Sequence, residues 1–68
     1  MPNFYVNTDA QPTGEHEVHE NGCEHGPVAA KQKSLGWYSS CSSAITAAEK
    51  HYTKVDGCYY CSRDCHKK

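Results

Sequence analysis

Long apolar runs are missing from this sequence, and so are most of the residues that build a large core. There is one Phe, one Trp and one Met in 68 residues, and only 37% of the chain is hydrophobic even with the five cysteines and five tyrosines counted. Leu35, Ile45, Phe4, Trp37 and the valines are nearly all of the strong core formers. A core of this size supplies only about 3–5 kcal/mol before any staple is added. Natural domains this small add disulfides, a metal ion or a partner subunit. No stretch approaches the roughly 20 apolar residues that cross a bilayer. The opening Met-Pro-Asn-Phe-Tyr-Val-Asn has neither the basic region nor the apolar segment of a signal peptide, so the chain is expected to be cytoplasmic.

Charge of one sign is also lacking. The net charge of -1 provides no long-range field for nucleic acid or an anionic membrane. Acids are nonetheless concentrated over 9–24, where Asp9, Glu15, Glu17, Glu20 and Glu24 occur without Lys or Arg. That stretch reads as a solvated face or loop, with a cation-attracting or partner-docking surface as the sharper alternative. Arg63, Lys67 and Lys68 close the chain.

Cysteine is what the sequence does have. Stable disulfides are rare in the cytoplasm, where cysteine clusters more often bind metal, and an odd number of cysteines cannot form a fully paired framework. Cys58-Tyr59-Tyr60-Cys61 is a Cys-x2-Cys pair whose two intervening residues let the chain curl around one ion. Gly57 before it gives the backbone freedom to bend. Cys65 and His66 follow, and one of the two is expected to add a third ligand. The fourth must come from a distant segment. Cys23, in a turn after Asn21-Gly22, is the first choice, with His25 or Cys41 next. The expected site is therefore a structural Zn2+ held by Cys23, Cys58, Cys61 and Cys65, with Cys41, His25 and His66 as alternates. Disulfides, for example between Cys23 and a tail cysteine, and free thiols are the competing readings.

The other candidates have plainer readings beside the chemical ones. Cys41 is either a small buried hydrophobe on a helix or a thiol activated at the helix start. His16 and His19 lie on opposite faces of a strand, which makes them poor joint ligands and suits surface histidines better. Tyr59 and Tyr60 either pack over the metal site or stack on single-stranded bases beside the basic tail.

Element signals run in a simple order. Phe4-Tyr5-Val6 within 3–7 suits a strand, Gln11-Pro12-Thr13-Gly14 a turn, and 15–19 a second strand. Asn21-Gly22 suits a tight hairpin bend, 26–33 a loop, and 34–39 a third strand. A helix begins near Ser39-Ser40, where a serine can cap, and places Cys41, Ala44, Ile45, Ala48 and Tyr52 on one stripe. Val55-Asp56-Gly57 ends it. The expected fold is α+β: a small zinc-stabilised domain, with a two- or three-stranded antiparallel sheet packed on one helix and a Cys-rich C-terminal knuckle. One domain spans 1–68, with strands and loop over 1–33, strand and helix over 34–56, and the knuckle over 57–68.

Asn7, Ala10-Gln11-Pro12, Gly14-Glu15-His16-Glu17-Val18-His19, Gly22-Cys23, Leu35-Gly36-Trp37-Tyr38-Ser39-Ser40-Cys41 and Gly57-Cys58-Tyr59-Tyr60-Cys61-Ser62 with Cys65-His66 together resemble a family of short uncharacterised bacterial proteins. The resemblance covers nearly the whole chain. It implies that Cys41 matters beyond packing, and it carries no activity, substrate or partner.

Three functions fit this pattern. The first is a zinc-stabilised module without catalysis of its own that engages a protein partner. The second is a thiol redox or disulfide-bonded protein using Cys58 and Cys61. The third, a weak single-stranded nucleic-acid binder, is disfavoured by the net charge. Nothing has the spacing of a nucleophile with its base, a carboxylate pair or a Gly-rich phosphate loop, which argues against an enzyme.

Overall fold

The structure is a computed structural model that describes residues 3–67. Its strands are β1 (Asn3–Asn7), β2 (His16–Glu20), β3 (Gln32–Trp37) and β4 (Val55–Gly57), with one helix, α1 (Cys41–Ala48). Short 3-10 turns cover Ala29–Lys31 and Arg63–Cys65. The α+β class and the single helix agree with the sequence. The sheet has four strands rather than two or three, in the order β3-β1-β2-β4.

It is also mixed rather than purely antiparallel. β1 pairs antiparallel with both β2 and β3, whereas β4 runs parallel to β2. Parallel strands need a crossover, and the chain between β2 and β4 provides it through β3 and α1, with the helix crossing one face. Asn21-Gly22 does turn the chain, with Gly22 at φ +91 and Cys23 N–H donating to the Glu20 carbonyl at 3.1 Å. It opens no hairpin, however. The strand that follows pairs with β1.

Alternation along β1 and β2 gives the sheet two differently used faces. Phe4, Val6 and Val18 meet Ala44 and Ala48 of the helix, and Leu35, Tyr38, Cys41, Ile45, Tyr52 and Val55 pack around them. Tyr5 and His19 are just as buried but point the other way, their rings stacked 5.4 Å apart. His16 returns to the helix side and stacks on Tyr52 at 3.7 Å.

Eight residues make a helix that is marginal in isolation. Ser40 holds the extended N-cap geometry, yet its hydroxyl lies on Ser42 and Ser43 rather than on the backbone N–H groups it was expected to cap. What secures this end is covalent. A disulfide joins Cys41 to Cys65 in the tail, with Cα atoms 6.2 Å apart.

The tail is seated on β4. Asp56, only 4% exposed, accepts the Lys67 N–H at 2.8 Å and pairs with His66 at 3.2 Å. A Cβ at Gly57 would come within 2.7 Å of the Cys65 Cβ and 2.8 Å of the Ser62 carbonyl, so only glycine lets the chain approach this closely. Among the described residues, no helix is long and apolar enough to cross a membrane.

Candidate metal centre

Two loops deliver the donors to the non-helical face of the sheet. β2 presents His19, and the turn after it brings Cys23 back beside that strand. Past β4, the Cys58 N–H bonds to the Val18 carbonyl at 2.9 Å, and the Ser62 N–H returns to the Cys58 carbonyl at 2.9 Å. That curl places Cys58 and Cys61 on the same point. One donor atom from each of His19, Cys23, Cys58 and Cys61 then lies within 4.8 Å of all the others.

The spacing decides what kind of group fits. Sulfurs at about 2.3 Å from a tetrahedral ion stand roughly 3.8 Å apart. The Cys23 and Cys58 sulfurs are 3.8 Å apart, and the Cys61 sulfur is 3.8 Å from His19 Nδ1. A single ion suits this arrangement. A multi-iron cluster, whose ligands sit on different metals, needs a wider set.

Two of the donors have a supporting partner outside the cluster. The Glu20 N–H donates to the Cys61 sulfur at 3.2 Å. His19 is 1% exposed, and its Nε2 meets Glu17 Oε1 at 3.2 Å while Nδ1 faces the thiols. A carboxylate on one ring nitrogen fixes the tautomer that leaves the other free to ligate. Burial keeps His19 neutral by lowering its pKa, and His25 adds to the effect. Burial also raises the pKa of Glu17, opposed by a hydrogen bond with Gln11. Substituting Glu17→Gln is expected to weaken metal binding about 10–100-fold, as loss of an outer carboxylate partner does elsewhere. A competition titration with a chromogenic chelator reads the effect, and a change under two-fold counts against this role.

The thiols themselves favour a cation. Burial, followed by the neighbouring Cys23, pushes the Cys61 thiol up to about 12, with the Glu20 N–H pulling the other way. Without a metal, Cys61 therefore keeps its proton at neutral pH, and metal uptake must displace it. Affinity is expected to rise with pH. Calorimetry in buffers of different ionisation enthalpy should show at least one proton released per ion, and a buffer-independent enthalpy contradicts this. His19 adds a stability term of the same sign. With its folded pKa below the ordinary 6.5 of a histidine, acid protonates the unfolded chain first, and stability falls as pH drops through that range.

The structure brings together Cys23, Cys58 and Cys61 from the expected set and joins His19 to them. Cys65 is elsewhere, in its bond to Cys41. His66 turns to Asp56 and the Gly57 carbonyl, and His25 stacks on Tyr60 at the rim, 3.7 Å between ring centres. The signal for His19 lay in its distance from Cys23: four residues, crossing the strand end and the Asn21-Gly22 turn. Compared with protein-family models, with curated proteins and with solved structures, the chain matches none.

Proposed function

We propose that the chain is a small structural zinc module that acts in protein interaction. The observation that carries this reading is the donor set: three sulfurs and one imidazole nitrogen at the spacing of one tetrahedral ion. Thiolate and imidazole ligands select zinc over hard cations. Four protein donors leave no coordination position for substrate, which is the mark of a structural rather than a catalytic site.

The outer face of the knuckle supports the interaction role. Tyr60 is 65% exposed and Tyr59 46%. They meet edge to face at 5.1 Å, and the Arg63 guanidinium lies 5.0 Å over the Tyr59 ring. Tyr and Arg are among the residues that dominate binding energy at protein interfaces. A redox role for Cys58 and Cys61 fits less well, because reactive thiols have lowered pKa values and Cys61 is pushed the other way. Chains sharing the segments that carry the bacterial resemblance are proposed to use the same four positions.

Cobalt substitution tests the reading. The cobalt form should show sulfur-to-metal charge transfer and a tetrahedral spectrum that added azide leaves unchanged. A six-coordinate spectrum, or one that shifts with azide, contradicts a closed site.

A further inference from the structure

Cys23 and Cys58 have a second chemistry open to them. Their sulfurs are in contact at 3.8 Å, and a disulfide needs about 2.05 Å. The two come from different segments and are held differently. Cys58 is 1% exposed and tied through its own N–H to the Val18 carbonyl. Cys23 is half-buried and lies in the turn after β2, outside any strand or helix. Its backbone bonds, to the Glu20 carbonyl at 3.1 Å and from the Gly26 N–H at 3.3 Å, stay within that turn and tie it to no other element, and its sulfur is more open to a small oxidant than that of Cys58.

Cys61 lies in the same cluster but is held by other partners. Its sulfur already accepts the Glu20 N–H and faces His19 Nδ1. Cys41 and Cys65 are already joined, so the same chain holds one oxidised pair beside three free cysteines.

We propose that the centre is also an oxidative cross-linking site, in which a peroxide joins Cys23 to Cys58 and the bond takes the place of the metal. This rests on the metal reading above only for what is released. In the first step the Cys23 thiolate attacks a peroxide oxygen. The O–O bond breaks, hydroxide leaves, and Cys23 becomes a sulfenic acid. In the second, the Cys58 sulfur attacks the Cys23 sulfur. The S–O bond breaks, hydroxide leaves again, and the S–S bond forms. Two thiolates, hydrogen peroxide and two protons thus give one disulfide and two waters, with both electrons taken by the peroxide.

Two of the four donors are lost to the ion together, and His19 and Cys61 are too few to hold it. The new bond closes a loop between positions 35 residues apart. By restricting the unfolded chain, such a loop stabilises the fold in its own right. The oxidised domain should consequently release its metal and stay folded, whereas a chelated domain loses its fold.

The experiment uses the zinc-loaded protein with hydrogen peroxide and a chromogenic zinc reporter. Release of one zinc per chain should track loss of a second hydrogen pair in the denatured mass. Tandem mass spectrometry should place the new bond at 23–58, a cooperative melt should persist, and a dithiol reductant with added zinc should restore the starting state. The Cys41→Ala, Cys65→Ala double variant keeps all four clustered donors and should form the same bond. A Cys58–Cys61 linkage, oxidation with zinc retained, or release without any cross-link overturns the proposal while leaving the metal reading standing. Formation of the 23–58 bond in a chain that takes up no zinc fails the metal reading and leaves the cross-link intact.

Discussion

Cys58→Ser is expected to leave the chain without a cooperative fold. Cys58 is buried to 1% at the meeting point of β4, the knuckle and the far face of the sheet. Its serine replacement is a poor zinc ligand in a site that has no spare donor. The magnitudes favour a large effect. Structural zinc in small peptides contributes an apparent 10–16 kcal/mol or so at pH 7, against about 3–5 kcal/mol for a core of this size. Circular dichroism and amide dispersion in the NMR spectrum read the outcome, and a strong chelator should reproduce it in the unaltered chain. A Cys58→Ser protein that melts within a few degrees of the parent shows that packing, not metal, holds the domain.

Replacing Cys41 and Cys65 together by alanine is expected to cost less, though still a large share of the total. The bond joins residues 24 apart, and the chain-entropy relation gives about 3.5 kcal/mol for a loop of that length. In a domain this small, that corresponds to a fall in Tm of roughly 15–25 °C. The double variant should still bind one metal ion, because neither sulfur belongs to the cluster. Thermal melts in the presence of zinc, with metal content measured on the same sample, check both halves. A fall below about 5 °C, or metal lost along with the bond, contradicts the view that the staples are separate.

The two staples hold different parts. The cluster of His19, Cys23, Cys58 and Cys61 joins β2 and its following turn to the start of the knuckle, on the face of the sheet away from the helix. The disulfide ties the end of the tail to the first residue of the helix on the other side. Between them lies a core of Phe4, Val6, Val18, Ala44 and Ala48, in which two of the five residues are alanines.

Much of this was legible in local patterns. Phe4-Tyr5-Val6 and the alternation over 15–20 mark β1 and β2, and the stripe from Cys41 to Tyr52 marks the helix face. Gly57-Cys58 with Cys61, and Cys23 after Asn21-Gly22, mark three of the four clustered donors. β4 was not legible. Val55-Asp56-Gly57 has no alternation to reveal a strand and resembles a helix stop, and it becomes a strand only by pairing with β2 far back in the sequence. His19 was obscured by being weighed with His16. The two do lie on opposite faces of β2, so the pair is a poor ligand set, yet His19 alone faces the thiols.

Cys65 shows a different limit. It is a neighbour of the knuckle in sequence, but the 3-10 turn over Arg63–Cys65 carries its sulfur to the helix. The odd cysteine count excludes a fully paired framework, and it is equally consistent with one disulfide beside three clustered thiols. The expectation that the cysteines bind metal rather than pair rested in part on a reducing compartment, and the Cys41–Cys65 bond departs from it.

Native mass spectrometry beside denaturing mass spectrometry, on protein purified without added metal, tests the central claim most directly. The native mass should carry one zinc ion per chain and the denatured mass should be short by a single hydrogen pair, with that pair mapped to Cys41 and Cys65. A native mass with no metal, on a chain that is nevertheless folded, would contradict it.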